Sequence, residues 1–108
     1  MQAVMIDDAV TERIKARLQD AFKERLRAVI LYGSEARGQA DPDSDIDLLV
    51  LLDGPTDGRR DSWTCIRALY DLTLEIERPI HAKPVDVRDY EAQQFPLYRS
   101  AKREGIPV

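Results

Sequence analysis

Between Ser44 and Gly54 the chain reads Asp45-Ile46-Asp47-Leu48-Leu49-Val50-Leu51-Leu52-Asp53. A short apolar run from Ile46 to Leu52, ended by Asp53-Gly54-Pro55, predicts a buried β-strand. Two acids stand at its mouth, and they constrain the fold more than any other feature. Side chains two residues apart on a strand point to one face, which puts the Cα atoms of Asp45 and Asp47 about 6.6 Å apart. Carboxylates at roughly that distance repel by about 2.5 kcal/mol at an effective dielectric of 20. An acid pair at the entrance of a buried strand calls for a cation. Hard oxygen ligands on a rigid element favour Mg²⁺, with phosphate oxygens and waters completing the octahedron.

The rest of the chain must supply a cover for that strand. Behind Asp7-Asp8, the residues Val10, Ile14, Leu18, Phe22 and Leu26 recur every four positions and predict an amphipathic helix over 8–26. Ala28 to Tyr32 predicts a strand stopped by Gly33, and 33–44 is small, polar and charged, as a loop is. A second long helix is predicted over 60–78, with Trp63, Ile66, Tyr70 and Leu74 on one face and Pro79 at its end. Trp63, Tyr70 and Cys65 read as core. Val85-Asp86-Val87 predicts a short third strand. Residues 89–104 predict a helix, interrupted at Pro96 and stopped by Gly105. This order predicts an α/β (α+β) fold with a small mixed β-sheet flanked by helices, and 108 residues suit a single domain over 1–108.

Charge and cysteine usage narrow the function. The net charge is −4 and the pI about 5.0, against the basic balance that duplex binding wants, so no nucleic-acid partner is expected. Cys65 is the single cysteine and His81 the single histidine, too few for a disulfide or a zinc site. No apolar run has the length of a membrane span, and the N-terminus lacks a signal-peptide layout, so a cytoplasmic protein is expected. His81 reads as a polar loop residue, and Arg99, Lys102 and Arg103 as a solvated helical face. The acid-rich loop from Asp41 does not make a calcium hand, because Ile46 and Leu52 stand where Gly and Glu are required. Gly33 to Gly38 does not make a Walker loop, because Gln39-Ala40 replace Lys and Ser/Thr.

Two further features gather around the acid pair. Gly33-Ser34 follows the first strand directly. Glycine lets the backbone turn and approach a ligand, and free N–H groups of a helical turn at Ser34 would form an anion site. The Ser34 hydroxyl and Arg37 one turn later suit a triphosphate. Asp86, between two valines, could add a third carboxylate that completes a metal site or accepts a hydroxyl proton.

Gly33-Ser34, ten intervening residues and then Asp45-x-Asp47 resembles the signature of the polymerase β-like nucleotidyltransferase superfamily. The short chain and residues 28–50 are most similar to its minimal (MNT) branch. The resemblance implies a polymerase β palm-like fold and transfer of AMP from ATP to a hydroxyl. It implies two Mg²⁺ ions about 3.5–4 Å apart, held by Asp45 and Asp47 with Asp86 as a further ligand and possible base. Gly33 and Ser34 would hold the β- and γ-phosphates, with Arg37 as a further phosphate ligand. Several MNT proteins act as antitoxins by transferring AMP to a tyrosine of a HEPN ribonuclease toxin, so that toxin and ATP are the partners implied here. Two other readings stay open: transfer to a small molecule or RNA, and a non-catalytic antitoxin that masks its partner.

Overall fold

The computed structural model describes residues 7–33, 36, 38 and 44–108. Helix α1 (Asp8–Phe22) opens on Asp7, whose side chain accepts from the Val10 N–H at 3.0 Å. Its four-residue stripe, Val10, Ile14, Leu18 and Phe22, is buried. The helix ends one turn earlier than the periodicity predicts. A 3-10 turn over Lys23–Arg25 follows, and Leu26 is the first residue of β1 (Leu26–Tyr32). Leu26 pairs with Leu52, so the sheet takes the residue that the helical period assigned to α1.

Strand β1 runs antiparallel to β2 (Ile46–Leu52), which lies where the apolar run predicted it. The mixed sheet has the order β3-β2-β1-β4. Strand β3 (Ile80–Asp86) is parallel to β2 and begins five residues before the predicted third strand. Pro84 interrupts its β pattern but is tolerated, because β3 is an edge strand whose outer side needs no N–H donor. Strand β4 (Ile106–Pro107) pairs with the other edge, a contact that two residues of sequence do not announce.

Helix α2 (Gly58–Ile76) is capped by the Asp57 side chain, which accepts from the Arg60 N–H at 2.9 Å. It buries Asp61, Cys65, Leu69, Leu72 and Ile76. The expected core residues Trp63 and Tyr70 are instead 57% exposed each, and Ile66 and Leu74 are exposed beside them. The helix carries two apolar stripes. The inward one contains Asp61, whose carboxylate meets Arg25 in a two-pronged ion pair at 3.0 Å on both oxygens. That pairing makes burial of the acid-bearing stripe tolerable and leaves the aromatic stripe outside. The predicted C-terminal helix divides into α3 (Val87–Glu91) and α4 (Pro96–Glu104), with Pro96 in the first turn of α4.

Both faces of β2 are covered, as its continuous apolar sequence requires. Ile46, Leu48, Val50 and Leu52 pack with Val29 and Leu31 against α1 and α2. Leu49 and Leu51 pack on the other face with Ile30, Val85, Tyr90, Tyr98 and Ala101. Among the described residues no helix is long and apolar enough to cross a membrane.

Candidate active site

The face of the sheet that carries Leu49 and Leu51 is covered by α3 and α4 only along part of its length. Two residues before Leu49 on the same face, Asp47 is half-buried, and Asp45 beyond it is exposed. In register across the sheet, Asp47 lies between Tyr32 of β1 and His81 of β3. The Nε2 atom of His81 is 2.9 Å from Oδ2 of Asp45. A Tyr, two Asp and a His therefore share one open end of the sheet.

The backbone of Gly33 closes against this group. Its φ is +75°, and a Cβ placed on it would stand 2.8 Å from Oδ2 of Asp47. Only glycine leaves the carboxylate its position and the chain its turn. Burial holds the Asp47 carboxyl above the usual carboxylate range; His81 opposes this shift and Asp45 adds to it. Burial, and then the charge of Asp47, push the Tyr32 hydroxyl up in the same way. A desolvated acid beside a second acid gains from a bound cation.

The segment that carries Asp45 is fastened from behind. Arg78 is fully buried, and its Nε donates to the Ser44 carbonyl at 2.9 Å. The Ile46 N–H donates to the Pro79 carbonyl at 2.9 Å. The end of α2 and the start of β3 thus set the position of the first acid. Neither Arg78 nor His81 was singled out by sequence patterning. The sequence pattern around His81 is that of a loop, and its strand position follows from pairing with β2.

Asp86 does not join the pair. It pairs in register with Leu52, five residues beyond the Asp47–His81 pair, or about 16 Å along the strand. There its side chain accepts from the Arg88 N–H at 2.9 Å as the cap of α3, and forms an ion pair with the Arg88 guanidinium at 2.9 Å. Those hydrogen bonds hold its carboxyl below the usual range. The alternation that suggested a third carboxylate was real, but its register places Asp86 at the far end. Among the described residues no cluster of three or more acids, His or Cys is disposed to hold a metal. Ser34 and Arg37 lie outside the described residues.

A groove of about 290 Å³ lies along the β3 edge, lined by Tyr32, Ser62, Ile66, Ile80, His81, Ala82 and Lys83, with neither Asp45 nor Asp47 in its wall. A larger concavity of about 550 Å³ surrounds Trp63 on α2, with Arg59, Arg60 and Arg67. It starts from Asp57 at the other end of the sheet, and so belongs to the exposed face of α2.

Known proteins share this architecture. The family model described as "Polymerase beta, Nucleotidyltransferase" matches residues 12–108. A Methanocaldococcus jannaschii protein, named as a proposed protein adenylyltransferase, is 34% identical over 68 residues, covering 62% of this chain and 69% of that one. The solved toxin–antitoxin MntA-HpeT, in a mutant form, is similar with a TM-score of 0.60 at 22% identity, over 91% of this chain and 70% of that one. The spectinomycin adenyltransferase of Enterococcus faecialis, solved with ATP and spectinomycin, is similar with a TM-score of 0.68 at 18% identity, over 93% of this chain and 54% of that one. With a family match that runs from α1 through the acid-bearing strand to Val108, this chain belongs to the polymerase β family of nucleotidyltransferases.

Proposed function

We propose that this nucleotidyltransferase transfers AMP from ATP, with Mg²⁺, to a protein hydroxyl. The acceptor implied by its family resemblance is a tyrosine of a HEPN ribonuclease toxin, which would make the chain an antitoxin. The observation that carries the reading is the pair Asp45 and Asp47 at the open end of the sheet, with Gly33 closed against Asp47. The relative named as a proposed protein adenylyltransferase favours a protein acceptor.

The donor set suits Mg²⁺, since both acids offer hard oxygen and Asp47 is half-buried beside a like charge. When bound, Mg²⁺ supplies neutralisation of the phosphate charge in the transfer. Asp45 and Asp47 would hold it, and Arg78 with Pro79 keeps Asp45 in place through the Ser44 and Ile46 backbone. Gly33 brings bare backbone to the site, where Ser34 and Arg37 would hold phosphates. The β3 side of the groove beside His81, with Tyr32, Ile80 and Ala82 in its wall, offers a seat for the acceptor's ring. The acceptor oxygen bonds to the α-phosphorus as the bond to pyrophosphate breaks, and the hydroxyl proton passes to solvent or a nearby carboxylate.

The test is intact-mass spectrometry of the HEPN partner after co-expression, against a control with Asp45→Asn/Asp47→Asn. A mass gain of one or more AMP units, present only with the wild-type chain, is expected. An unmodified but silenced partner would replace this reading with a masking antitoxin. Likeness to the spectinomycin enzyme supports a second reading, a small-molecule acceptor. AMP transfer to a small hydroxyl compound, with no partner protein present and the partner unmodified, would establish it.

A further inference from the structure

The exposed stripe of α2 is symmetric about its own midpoint. Level with Ala68, Ile66 and Tyr70 stand two residues to either side, Trp63 and Leu74 five and six, and Arg59 and Glu77 nine. Trp63, Ile66, Tyr70 and Leu74 are 52–61% exposed, and Arg59 and Glu77 are exposed at the two ends. The charges divide in the same way. Arg59 and Arg67 stand in the first half of the face and Glu77 closes the second, while Asp71 and Glu75 are held by Arg17 and Arg13 of α1, and Arg60 lies against Asp61. A parallel neighbour would set like charges against each other. An antiparallel copy sets Arg59 opposite the Glu77 of its mate at both ends, while Ile66 meets the mate's Tyr70.

We propose that a second copy of this chain covers the stripe, in a twofold dimer formed by antiparallel packing of the two α2 helices. Such an interface is self-complementary, as twofold symmetry demands. The concavity of about 550 Å³ around Trp63, bounded by Arg59, Arg60 and Arg67, receives Leu74 and Glu77 of the other copy. Four large apolar side chains in one contiguous stripe are the kind of surface that marks an interaction site. The stripe is about 28 Å long by helix rise and one helix wide, smaller than the roughly 800 Å² per partner of a standard interface. The dimer is accordingly of the weak, concentration-dependent class. This proposal does not rest on the nature of the acceptor.

Sedimentation velocity on the full chain over roughly 1–300 µM tests it. Trp63, the single tryptophan, reports occupancy of the stripe through its own fluorescence. Wild type is expected to pass from monomer to dimer with a parallel blue shift of Trp63 emission. Arg59→Glu is expected to raise the dissociation constant more than tenfold, by placing like charges opposite each other. The double exchange Arg59→Glu/Glu77→Arg is expected to restore it to within about threefold. Both positions are exposed, so circular dichroism should show unchanged folding. A wild-type chain that stays monomeric at the highest concentration overturns the proposal. So does a double exchange that fails to rescue. Loss of partner-protein binding in Tyr70→Glu, from a chain that is monomeric alone, would assign the stripe to that partner instead.

Discussion

Gly33 shows how much a single residue decides at this site. Its φ of +75° and the 2.8 Å approach of a virtual Cβ to Asp47 are independent reasons why only glycine fits. Gly33→Ala is expected to cost about 1 kcal/mol or more of stability and to lower nucleotidyl transfer at least tenfold, because the acid must shift to admit the methyl group. Thermal melts and single-turnover assays of the same preparation measure both. A variant with wild-type turnover would contradict the contact. Gly33, Asp45 and Asp47 were legible in the sequence because residue type and spacing alone select them. Arg78 and His81 were not, because their relation to Asp45 is a matter of which backbone lies beside which.

Among the elements, β3 carries the largest difference between pattern and structure. Pro84 and the mixed polarity of Ile80–Asp86 hide the strand, and the apolar alternation visible in the sequence begins only at Val85. The parallel register with β2 puts His81 beside Asp47 and sends Asp86 to the start of α3. Asp86→Asn is therefore expected to keep transfer within about twofold of wild type while lowering the melting temperature by a few degrees, since the helix cap survives weakly and the Arg88 ion pair is lost. Asp47→Asn should do the reverse, with activity lost and the melt nearly unchanged. Equal loss of transfer in the two variants would return Asp86 to the site. Helix α2 carries a parallel lesson. Its two apolar stripes have the same period, and the Arg25–Asp61 pair distinguishes the one that turns inward.

Across the whole molecule, that pair ties the entrance of β1 to the first turn of α2. Asp61 is almost wholly buried, accepts from Arg25 and from the Asp57 N–H, and titrates at about 2, chiefly because of the Arg25 hydrogen bonds. A carboxyl lowered from 3.8 to about 2 stabilises the folded state by about 2 kcal/mol above the unfolded value, and loses that contribution as the pH falls through the folded value. Asp61→Asn is expected to cost about 3 kcal/mol at neutral pH, and the gap to wild type should narrow between pH 4 and pH 2. Urea unfolding at several pH values measures this, and a gap independent of pH would remove the ion pair as its cause. The sequence by itself determined the buried central strand, the acid pair at its mouth, the glycine before it and the helical stripe of α1. Each of these is a local pattern whose period or spacing names its own geometry. Only the tertiary structure decided the register of β3, the exposed aromatic stripe of α2, the cap role of Asp86 and the pairing of Ile106–Pro107 with β1. These depend on contacts between residues far apart in the chain, where several pairings satisfy the same local pattern and packing selects one.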